Sequence, residues 1–495
     1  MIKVLSGLFL LIGFSLSALA SPIIIGKDQA PINAHDYKIL EEVALNAKIA
    51  VEKFRHLKRS SHFIVGPEGF LYRDRKKNGV IDNEDVAAFL SIVRADNAYT
   101  TDKNGYVNGI AIKKTDFNNI SILNKFKKIV AINLSDNQVA DINLSEFPEL
   151  RFFRIFESNK HRTLTQIKNV NNLAYFYVNG LNTPNFKKFM GVKNLRKIVV
   201  LGMGIESFDG LENMPNLKEA EIIANGKTTA KNFTSLKGIP KGHKLEKLIL
   251  SSSVTTNIEG IANFTHLKSL ELWANKRALT DFSPISKLKN LEELELTVLE
   301  LKDFDFIDDM PKLKQITTYH APITSLAGLD EAPNLEVLKL TNGQLEAIEH
   351  LEHNTQLKSL ILNTHKITRL KGLEKLTKLK VLGVSNNKIP KIEGLDNNLC
   401  LEKLYVVGNP ISTFENIFHL PLLHEMGIGS TKIREFPNWK NLKHLGRLVV
   451  DKSQLNKEHF TPGYFYGNIP IEDFDTQLME TKPVTDEERK QQGCI

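Results

Sequence analysis

Cysteine is nearly absent from this sequence, because Cys400 and Cys494 are the only two among 495 residues. So few cysteines exclude a fold held together by a framework of several disulfides. An oxidising compartment would allow one bridge between the two. Because Cys494 lies in a polar tail, we expect two unpaired thiols instead of that bridge.

Long hydrophobic runs are also missing, except at the N-terminus. There, MIK supplies a positive charge, VLSGLFLLIGFSL an apolar core, and Ala18-Leu19-Ala20 a cleavage motif of small residues. This order predicts a signal peptide over residues 1–20 that is removed before Ser21. No later segment approaches the roughly 20 apolar residues of a membrane-spanning helix. We therefore expect an exported protein that is periplasmic, secreted or held at the cell surface.

The sequence shows neither a concentrated charge nor a catalytic signature. Its net charge of +8 is spread over 495 residues and the lysines are dispersed, whereas a nucleic-acid binder concentrates them on one face. We expect no nucleic-acid partner, and only a weak attraction to anionic surfaces. The sequence contains no G-x-S-x-G, H-E-x-x-H or P-loop motif, and these are common signs of hydrolases and nucleotide-binding enzymes. The protein is predicted not to be an enzyme.

What the sequence does contain is one pattern repeated at intervals of mostly 22 residues. Within one such block, Leu357, Leu360 and Leu362 have the spacing of a strand with one buried face. Ile367 and Leu370 then begin a recurrence of three residues, which is typical of 3₁₀ turns. Blocks start at residues 107, 129, 150, 173, 195, 217, 245, 267, 291, 313, 335, 357, 379, 401, 423 and 445. A fixed period of this length predicts a solenoid whose stacked repeats share one core.

Two positions of the repeat carry further predictions. The sixteenth is glycine in five repeats, where we expect turns with positive φ: Gly210, Gly260, Gly328, Gly372 and Gly394. The ninth is often asparagine, which predicts an interrupted ladder of buried amides: Asn137, Asn225, Asn275, Asn387 and Asn409. The step from 217 to 245 is six residues longer than the usual 22, which places a loop near Asn225–Phe233.

The full pattern, L-x-x-L-x-L-x-x-N-x-I-x-x-I/L-x-G-L, resembles the 22-residue class of leucine-rich repeats found in bacterial internalins and in phosphatase-1 regulatory subunits. The resemblance covers residues 107–452. It implies an α/β fold, a leucine-rich-repeat solenoid (horseshoe) with a concave parallel β-sheet and a helical N-terminal cap. Internalins also place a signal peptide and an EF-hand-like cap before their repeats, although this sequence lacks their C-terminal cell-wall sorting signal.

The segments on either side of the repeats are predicted to close the two ends of the core. The N-terminal cap spans residues 21–106, with a helix from Ala34 to about Leu57 capped by Asn33. Residues 453–495 form a C-terminal cap and flexible tail, in which aromatic side chains cover the last repeat and the chain is mobile from Glu480 onward.

Within the N-terminal cap, residues 74–85 (DRKKNGVIDNED) resemble the calcium loop of an EF-hand or a dockerin. The calcium ligands would be Asp74, Asn78, Val80 through its carbonyl, Asp82 and Asp85. Lys76 opposes this assignment because it puts an ammonium at the third position of the loop, where an oxygen ligand belongs. The alternative is a helix start capped by Asp82 or Asn83. The sequence favours the helix start, and any calcium site here is expected to be weak. A second similar stretch, residues 100–111 (TTDKNGYVNGIA), is interpreted as a turn into the first repeat.

The third, fifth and seventh positions of each repeat face the concave side of the sheet, where solenoids of this class bind partners. Aromatic and arginine side chains there are typical interface anchors, and the glutamates form a band suited to a basic partner. The candidate partner-binding residues are Phe152, Arg154, Phe156, Tyr175, Tyr177, Glu271, Trp273, Glu293, Glu295, Tyr319 and Tyr405. The alternatives are that Phe152 or Phe156 packs beneath the cap or a loop, and that the glutamates are only a solvated face.

The sequence therefore predicts an exported leucine-rich-repeat protein that binds a protein partner through its concave face, in the manner of an adhesin or internalin. One alternative is a structural scaffold of the cell envelope without a discrete ligand. Another is a binding module regulated by calcium.

Overall fold

The structure is a computed structural model. It describes residues 32, 34–56, 63–65, 71–73, 97–102, 104–156, 162–168, 170–224, 233–252, 254–274, 279–298, 300–413, 415–433, 442–451, 461–462, 474–478 and 484–494. The predicted signal peptide, the 74–85 loop, the helix expected after it and most of the predicted loop at 225–233 lie outside these residues. The chain forms two compact units: unit 1 comprises residues 1–203 and 213–217, and unit 2 comprises residues 204–212 and 218–495.

Unit 1 contains one α-helix and twelve short strands among its described residues. The helix α1 spans Ala34–Asn46. The strands are β1 Arg55–His56, β2 Phe63–Val65, β3 Leu71–Arg73, β4 Ala98–Thr101, β5 Val107–Lys113, β6 Ala131–Ser135, β7 Asp141–Asn143, β8 Phe152–Phe156, β9 Arg162–Lys168, β10 Tyr175–Asn182, β11 Phe189–Met190 and β12 Lys197–Met203.

The described residues of unit 2 hold thirteen strands and a second helix. The strands are β13 Glu219–Ala224, β14 Lys247–Ser252, β15 Ser269–Ala274, β16 Glu293–Val298, β17 Gln315–Tyr319, β18 Val337–Thr341, β19 Ser359–Asn363, β20 Val381–Gly383, β21 Lys403–Tyr405, β22 Glu425–Gly427, β23 Arg447–Asp451, β24 Thr461–Pro462 and β25 Phe474–Leu478. The helix α2 spans Asp486–Gln491.

A strand lies at each of the sixteen predicted repeat starts, and neighbours within each unit pair in parallel. In unit 1 the order is β5, β6, β8, β10 and β12; in unit 2 it runs from β13 to β23. Leu338 stands opposite Leu360, and Leu360 opposite Leu382. This register keeps the leucines of successive repeats stacked in one core, where all three are fully buried. The predicted leucine-rich-repeat solenoid with a parallel sheet is confirmed.

The segments that lead from each repeat strand to the next, which we call the return segments, differ between the two units. In unit 2 they contain 3₁₀ turns, such as Glu259–Asn263 and Ser283–Lys287, as the three-residue recurrence predicts. In unit 1 the return segment of the first repeat also contains a 3₁₀ turn, Ile120–Lys125, but the next three form additional parallel strands, with β9 pairing with both β7 and β11. The sequence did not predict this second strand ladder, because its leucine spacing is that of the other return segments.

Four of the five glycines at the sixteenth repeat position have the predicted positive φ, which is 90° at Gly328 and 92° at Gly372. Gly260 is the exception, because it has no such φ. A Cβ atom at Gly260 would instead lie 1.9 Å from the carbonyl oxygen of Leu236. Glycine is therefore required there by close approach of the neighbouring backbone and not by a left-handed turn.

Buried asparagines join successive repeats at the ninth position. The Asn387 side chain accepts a hydrogen bond from the Ile367 N–H (3.0 Å) and donates to the carbonyl of Leu362 (2.8 Å). Asn409 makes the corresponding bonds one repeat later, to Ile389 and Val384. Each amide thus satisfies backbone groups that the turn leaves without a ladder partner. Asn225 and Asn275 lie outside the described residues.

His365 occupies the same position in its repeat and replaces the asparagine. Its Nδ1 accepts from the Leu345 N–H (3.2 Å) and its Nε2 lies 3.3 Å from the Leu340 carbonyl oxygen, so the Nε2 carries the proton. The preceding repeat has Gly343 at this position, and a Cβ there would lie 2.3 Å from His365 Cε1. The absence of a side chain at Gly343 provides the space for the larger ring. Burial lowers the pKa of His365, although its hydrogen bond to Leu340 opposes this shift.

The helix α1 closes the N-terminal end of unit 1 but is shorter than predicted. It ends at Asn46 because Lys48 adopts a left-handed conformation (φ 54°), and the Lys48 and Ile49 N–H groups bond back to Leu45 and Ala44. This is a Schellman-type helix end. The buried carboxylate of Asp36 accepts a hydrogen bond from the Val107 N–H at 2.7 Å, which fixes the helix to the first repeat.

Antiparallel strands cover both ends of the repeat sheet. The strand β4 pairs with β5 through a hairpin in which Gly105 has φ 82°, so the predicted turn at residues 100–111 is confirmed. The strand β25 pairs with β23, and β24 pairs with β25. Paired edges of this kind prevent the terminal strands from recruiting other chains.

The C-terminal segment corrects two predictions. Cys400 and Cys494 form a disulfide with a Cα–Cα distance of 5.6 Å, so the expectation of two unpaired thiols is wrong. Residues 484–494 contain the capped helix α2 where a mobile tail was expected. Arg489 makes two hydrogen bonds to the Glu402 carboxylate, at 2.9 and 3.3 Å, and Glu488 pairs with His444 at 2.9 Å. These contacts hold Cys494 beside Cys400.

Candidate functional site

The candidate site is the open face of the repeat sheet, formed by side chains that alternate with the buried leucines. In β15, Leu270 and Leu272 are buried, whereas Glu271 is partly exposed and Trp273 is exposed. In β10, Phe176 and Val178 are buried, whereas Tyr175 and Tyr177 are partly exposed. The period of two along each strand therefore places Tyr175, Tyr177, Glu271 and Trp273 where a partner could reach them.

In unit 1, four side chains on β8 and β10 form a contiguous group that we call the aromatic patch: Arg154, Phe156, Tyr175 and Tyr177. The Arg154 guanidinium lies 4.5 Å from the ring centre of Phe156 and 5.2 Å from that of Tyr177. The two rings meet edge to face, with centres 5.7 Å apart. Asn133 on the neighbouring strand accepts a hydrogen bond from Arg154 at 3.2 Å. Cation–π contact and this bond together hold the guanidinium in one orientation.

Phe152 belongs to the same strand but does not contribute to the exposed surface. Its side chain is only 5% exposed, although its partner in the strand register, Tyr175 on β10, is partly exposed. The prediction of an exposed Phe152 is therefore wrong, whereas Phe156 remains partly exposed. Asn133, which the sequence reasoning missed, occupies the fifth repeat position, so the same positional rule could have found it.

In unit 2, the open face carries what we call the acidic strip: Glu271, Trp273, Glu293 and Glu295 on β15 and β16. Glu271 and Glu295 stand directly opposite each other in the strand register. The Lys247 ammonium lies 3.2 Å from the Glu271 carboxylate. Glu293 accepts a hydrogen bond from Ser269 at 3.1 Å. Two carboxylates and an indole therefore converge on one small area of the sheet.

The electrostatics of this area are unfavourable for one carboxylate. Burial, and then the neighbouring charge of Glu271, raise the pKa of Glu295, and a hydrogen bond from Trp273 only partly opposes them. A raised pKa means that the ionised form of Glu295 is disfavoured in the folded protein. Groups perturbed by a specific charge partner are concentrated at functional sites.

Tyr319 and Tyr405 lie further along the open face, and neighbouring charged groups engage both. The Lys339 ammonium lies 3.2 Å from the Tyr319 hydroxyl and 5.2 Å from the centre of its ring. Tyr405 donates a 2.7 Å hydrogen bond to the buried carboxylate of Glu425. Glu425 also pairs with Lys403 and Arg447, each at 3.0 Å.

The Glu425 cluster explains the ionisation of its two central groups. Burial raises the pKa of Tyr405, and its bond to Glu425 raises it further. Burial alone would raise the pKa of Glu425, but the bonds from Tyr405 and Lys403 and the nearby cations outweigh it and lower the pKa. This cluster stabilises the strands β21 to β23, so Tyr405 has a structural role as well as a place on the open face.

The proposed calcium ligands Asp74, Asn78, Val80, Asp82 and Asp85 lie outside the described residues. Within the part of the chain that the structure describes, no three His, Cys, Asp or Glu side chains are grouped so as to hold a metal ion. No helix in the same part has the length and apolar character to cross a membrane.

Comparison with known proteins agrees with this architecture. A family model described as two copies of leucine-rich repeats matches residues 355–397. No curated protein matches the chain. Together with the strand register described above, the family match defines the class: the chain folds as a leucine-rich-repeat solenoid of the 22-residue type.

Among solved structures, the chain is similar to an internalin of Listeria monocytogenes, with 18% identity, coverage of 83% of this chain and 93% of that one, and a TM-score of 0.46. It is similar to a leucine-rich-repeat protein of Leptospira interrogans, with 21% identity, coverage of 68% and 92%, and a TM-score of 0.46. It is also similar to a chain of the Drosophila Toll–Spatzle complex, with 14% identity, coverage of 67% and 49%, and a TM-score of 0.50. Sequence identities this low are evidence of a similar fold and of nothing more.

Proposed function

We propose that this protein is an exported binding protein that recognises a protein partner through the open face of its repeat sheet. The observation that carries the proposal is the aromatic patch. Arg154 is held between Phe156 and Tyr177 on a partly exposed sheet surface. Preorganised aromatic and arginine side chains lose little conformational entropy on binding and are the commonest interface hot spots.

The disulfide supports the export that the N-terminal sequence predicts. Bridges such as Cys400–Cys494 form and persist in oxidising compartments and are rare in the reducing cytosol. Export would make the open face accessible to partners in the cell envelope or outside the cell.

The test compares the full chain with the variant Tyr175→Ala/Tyr177→Ala as immobilised baits for extracts of the producing cell's envelope and of host cells. A partner retained by the wild type should bind the variant more weakly by about 2 kcal/mol or more. The matched control is Met190→Ala, which removes an apolar side chain that is 46% exposed on β11 of the same unit, away from the patch.

Thermal unfolding of the three proteins confirms that each retains its fold. If every captured protein binds the patch variant and the control equally well, the aromatic patch is not the binding site. A bait that captures no specific protein would favour a structural role in the cell envelope and would contradict the proposal.

A further inference from the structure

The open face of unit 2 has a local charge opposite in sign to that of the whole protein. Over the strands β13 to β18 the charged side chains on this face are Glu219, Glu221, Glu271, Glu293, Glu295, Lys247 and Lys339. Two positive and five negative charges leave 2 − 5 = −3 on this face, whereas the full sequence has a net charge of +8. The surface is therefore complementary to a positively charged partner.

Within this face, the opposed carboxylates of Glu271 and Glu295 form a like-charge pair in register. Lys247 lies against Glu271, and Glu295 receives weaker support from the Trp273 side chain and from the charges of Lys339 and Lys247. Like charges directly opposite each other on a sheet are destabilising. A bound cation would relieve this repulsion, whereas a neutral ligand would leave it in place.

Trp273 adds a second element of cation recognition beside the carboxylate pair. Its side chain is 38% exposed and is one of three large hydrophobic side chains that are exposed in the described part of the chain. An indole face attracts a guanidinium or ammonium group through cation–π contact. A planar guanidinium can also make two parallel hydrogen bonds to a carboxylate, which an ammonium cannot.

We propose that the acidic strip binds a basic, extended segment of the protein partner, with an arginine side chain placed against Trp273 and paired with Glu271 and Glu295. This inference rests on the proposed function and names the chemistry of the partner. A strand-like peptide along the open face would present alternate side chains to the strip, at the period of two that the sheet itself has.

The direct test uses a short fluorescein-labelled peptide of alternating arginine and serine, and a twin with glutamine in place of arginine. Fluorescence anisotropy measures binding to the full chain. We expect the arginine peptide to bind, more weakly as salt is added, and the glutamine twin not to bind. The variant Glu271→Gln/Glu295→Gln should lose about tenfold or more in affinity.

The matched control is Glu346→Gln/Glu349→Gln, which removes the same charge from two exposed positions in a connecting turn of unit 2. The control should bind the arginine peptide as the wild type does. The variant Trp273→Ala should also bind more weakly; if it does not fold, the glutamine variant decides the question, because its side chains have the same shape as those they replace. Equal affinities of the strip variant and the control, or no binding by the wild type, would overturn the inference.

Binding of the natural partner to the two sets of variants distinguishes this inference from the proposed function. A partner that is lost by Tyr175→Ala/Tyr177→Ala but retained by Glu271→Gln/Glu295→Gln would support the proposed function and refute the role of the acidic strip. A partner that both variants lose would support both.

Discussion

Replacing His365 with asparagine should abolish an acid-sensitive contribution to the stability of unit 2. The neutral ring accepts a hydrogen bond from Leu345 and donates one to Leu340, so both nitrogens are engaged. Protonation would put a second donor opposite the Leu345 N–H. One hydrogen bond would be lost and a buried donor left without a partner, which costs about 1–3 kcal/mol.

The direction of the pH dependence follows from the pKa of His365. Burial holds this pKa below the ordinary value of 6.5 in the folded protein. Above 6.5 both the folded and the unfolded states are neutral, and the full stability is present. As the pH falls below 6.5 towards the lower folded pKa, the unfolded state takes up a proton that the folded state does not. Stability therefore declines over this window, by up to about 1.4 kcal/mol per pH unit.

The assay is urea unfolding of the wild type and His365→Asn at intervals between pH 7.5 and pH 5. His243 and His444 are also buried in unit 2 and are present in both proteins, so the difference between the two curves isolates His365. We expect the free energy of unfolding of the wild type, relative to that of the variant, to decline as the pH falls below 6.5. Protection of the Leu345 amide against hydrogen exchange, relative to its intrinsic rate at each pH, should fall over the same window in the wild type only. Parallel stability curves for the two proteins would refute the reasoning.

A double-mutant cycle tests the packing part of the same argument. Gly343→Ala would place a methyl group 2.3 Å from the His365 ring, and crowding of this kind costs about 1–3 kcal/mol. In the His365→Asn background the smaller amide should remove most of that cost. Independent effects of the two substitutions would show that the glycine does not make room for the ring.

Three further predictions concern the two ends of the repeat array. Cys400→Ser/Cys494→Ser should lower the free energy of unfolding by about 4.7 kcal/mol in the chain-entropy account, because the bridge spans a sequence separation of 94 residues; an unchanged melting temperature in calorimetry would contradict this. In that background Arg489→Met should release residues 484–494 to limited proteolysis, and cleavage no faster than with Arg489 intact would show that the pair with Glu402 does not dock the helix. Calcium at millimolar concentration should give no heat from residues 74–85 because of Lys76; heat that Asp74→Asn abolishes would establish a calcium site.

The sequence was most informative where a local pattern repeats. The L-x-x-L-x-L blocks predicted the positions of all sixteen repeat strands, because buried and exposed side chains alternate along a strand and the alternation is visible in consecutive residues. The same rule placed Arg154, Tyr175, Tyr177 and Trp273 on the open face. This rule did not predict that Phe152 is buried, because burial there depends on neighbouring elements and not on position within the strand.

Features that depend on distant contacts were missed. The Cys400–Cys494 bridge requires a polar segment to dock against repeats more than 90 residues earlier. Arg489–Glu402 and Glu488–His444 provide that docking, but neither pair forms a periodic pattern. The early end of α1 depends on the conformation of Lys48, a residue type that sequence rules do not associate with left-handed turns.

The disulfide also determines how the chain would respond to mechanical tension. Force applied beyond Cys494 passes through the bridge to Cys400, so the 493 − 400 = 93 residues between them carry no load. The strands β21 to β23 lie inside this shielded loop, whereas β13 to β20 precede it. Reducing the bridge would lengthen the fully extended chain by about 320 Å, at about 3.4 Å per residue. A pulled molecule would thus keep its last repeats folded while the earlier repeats of the array unravel.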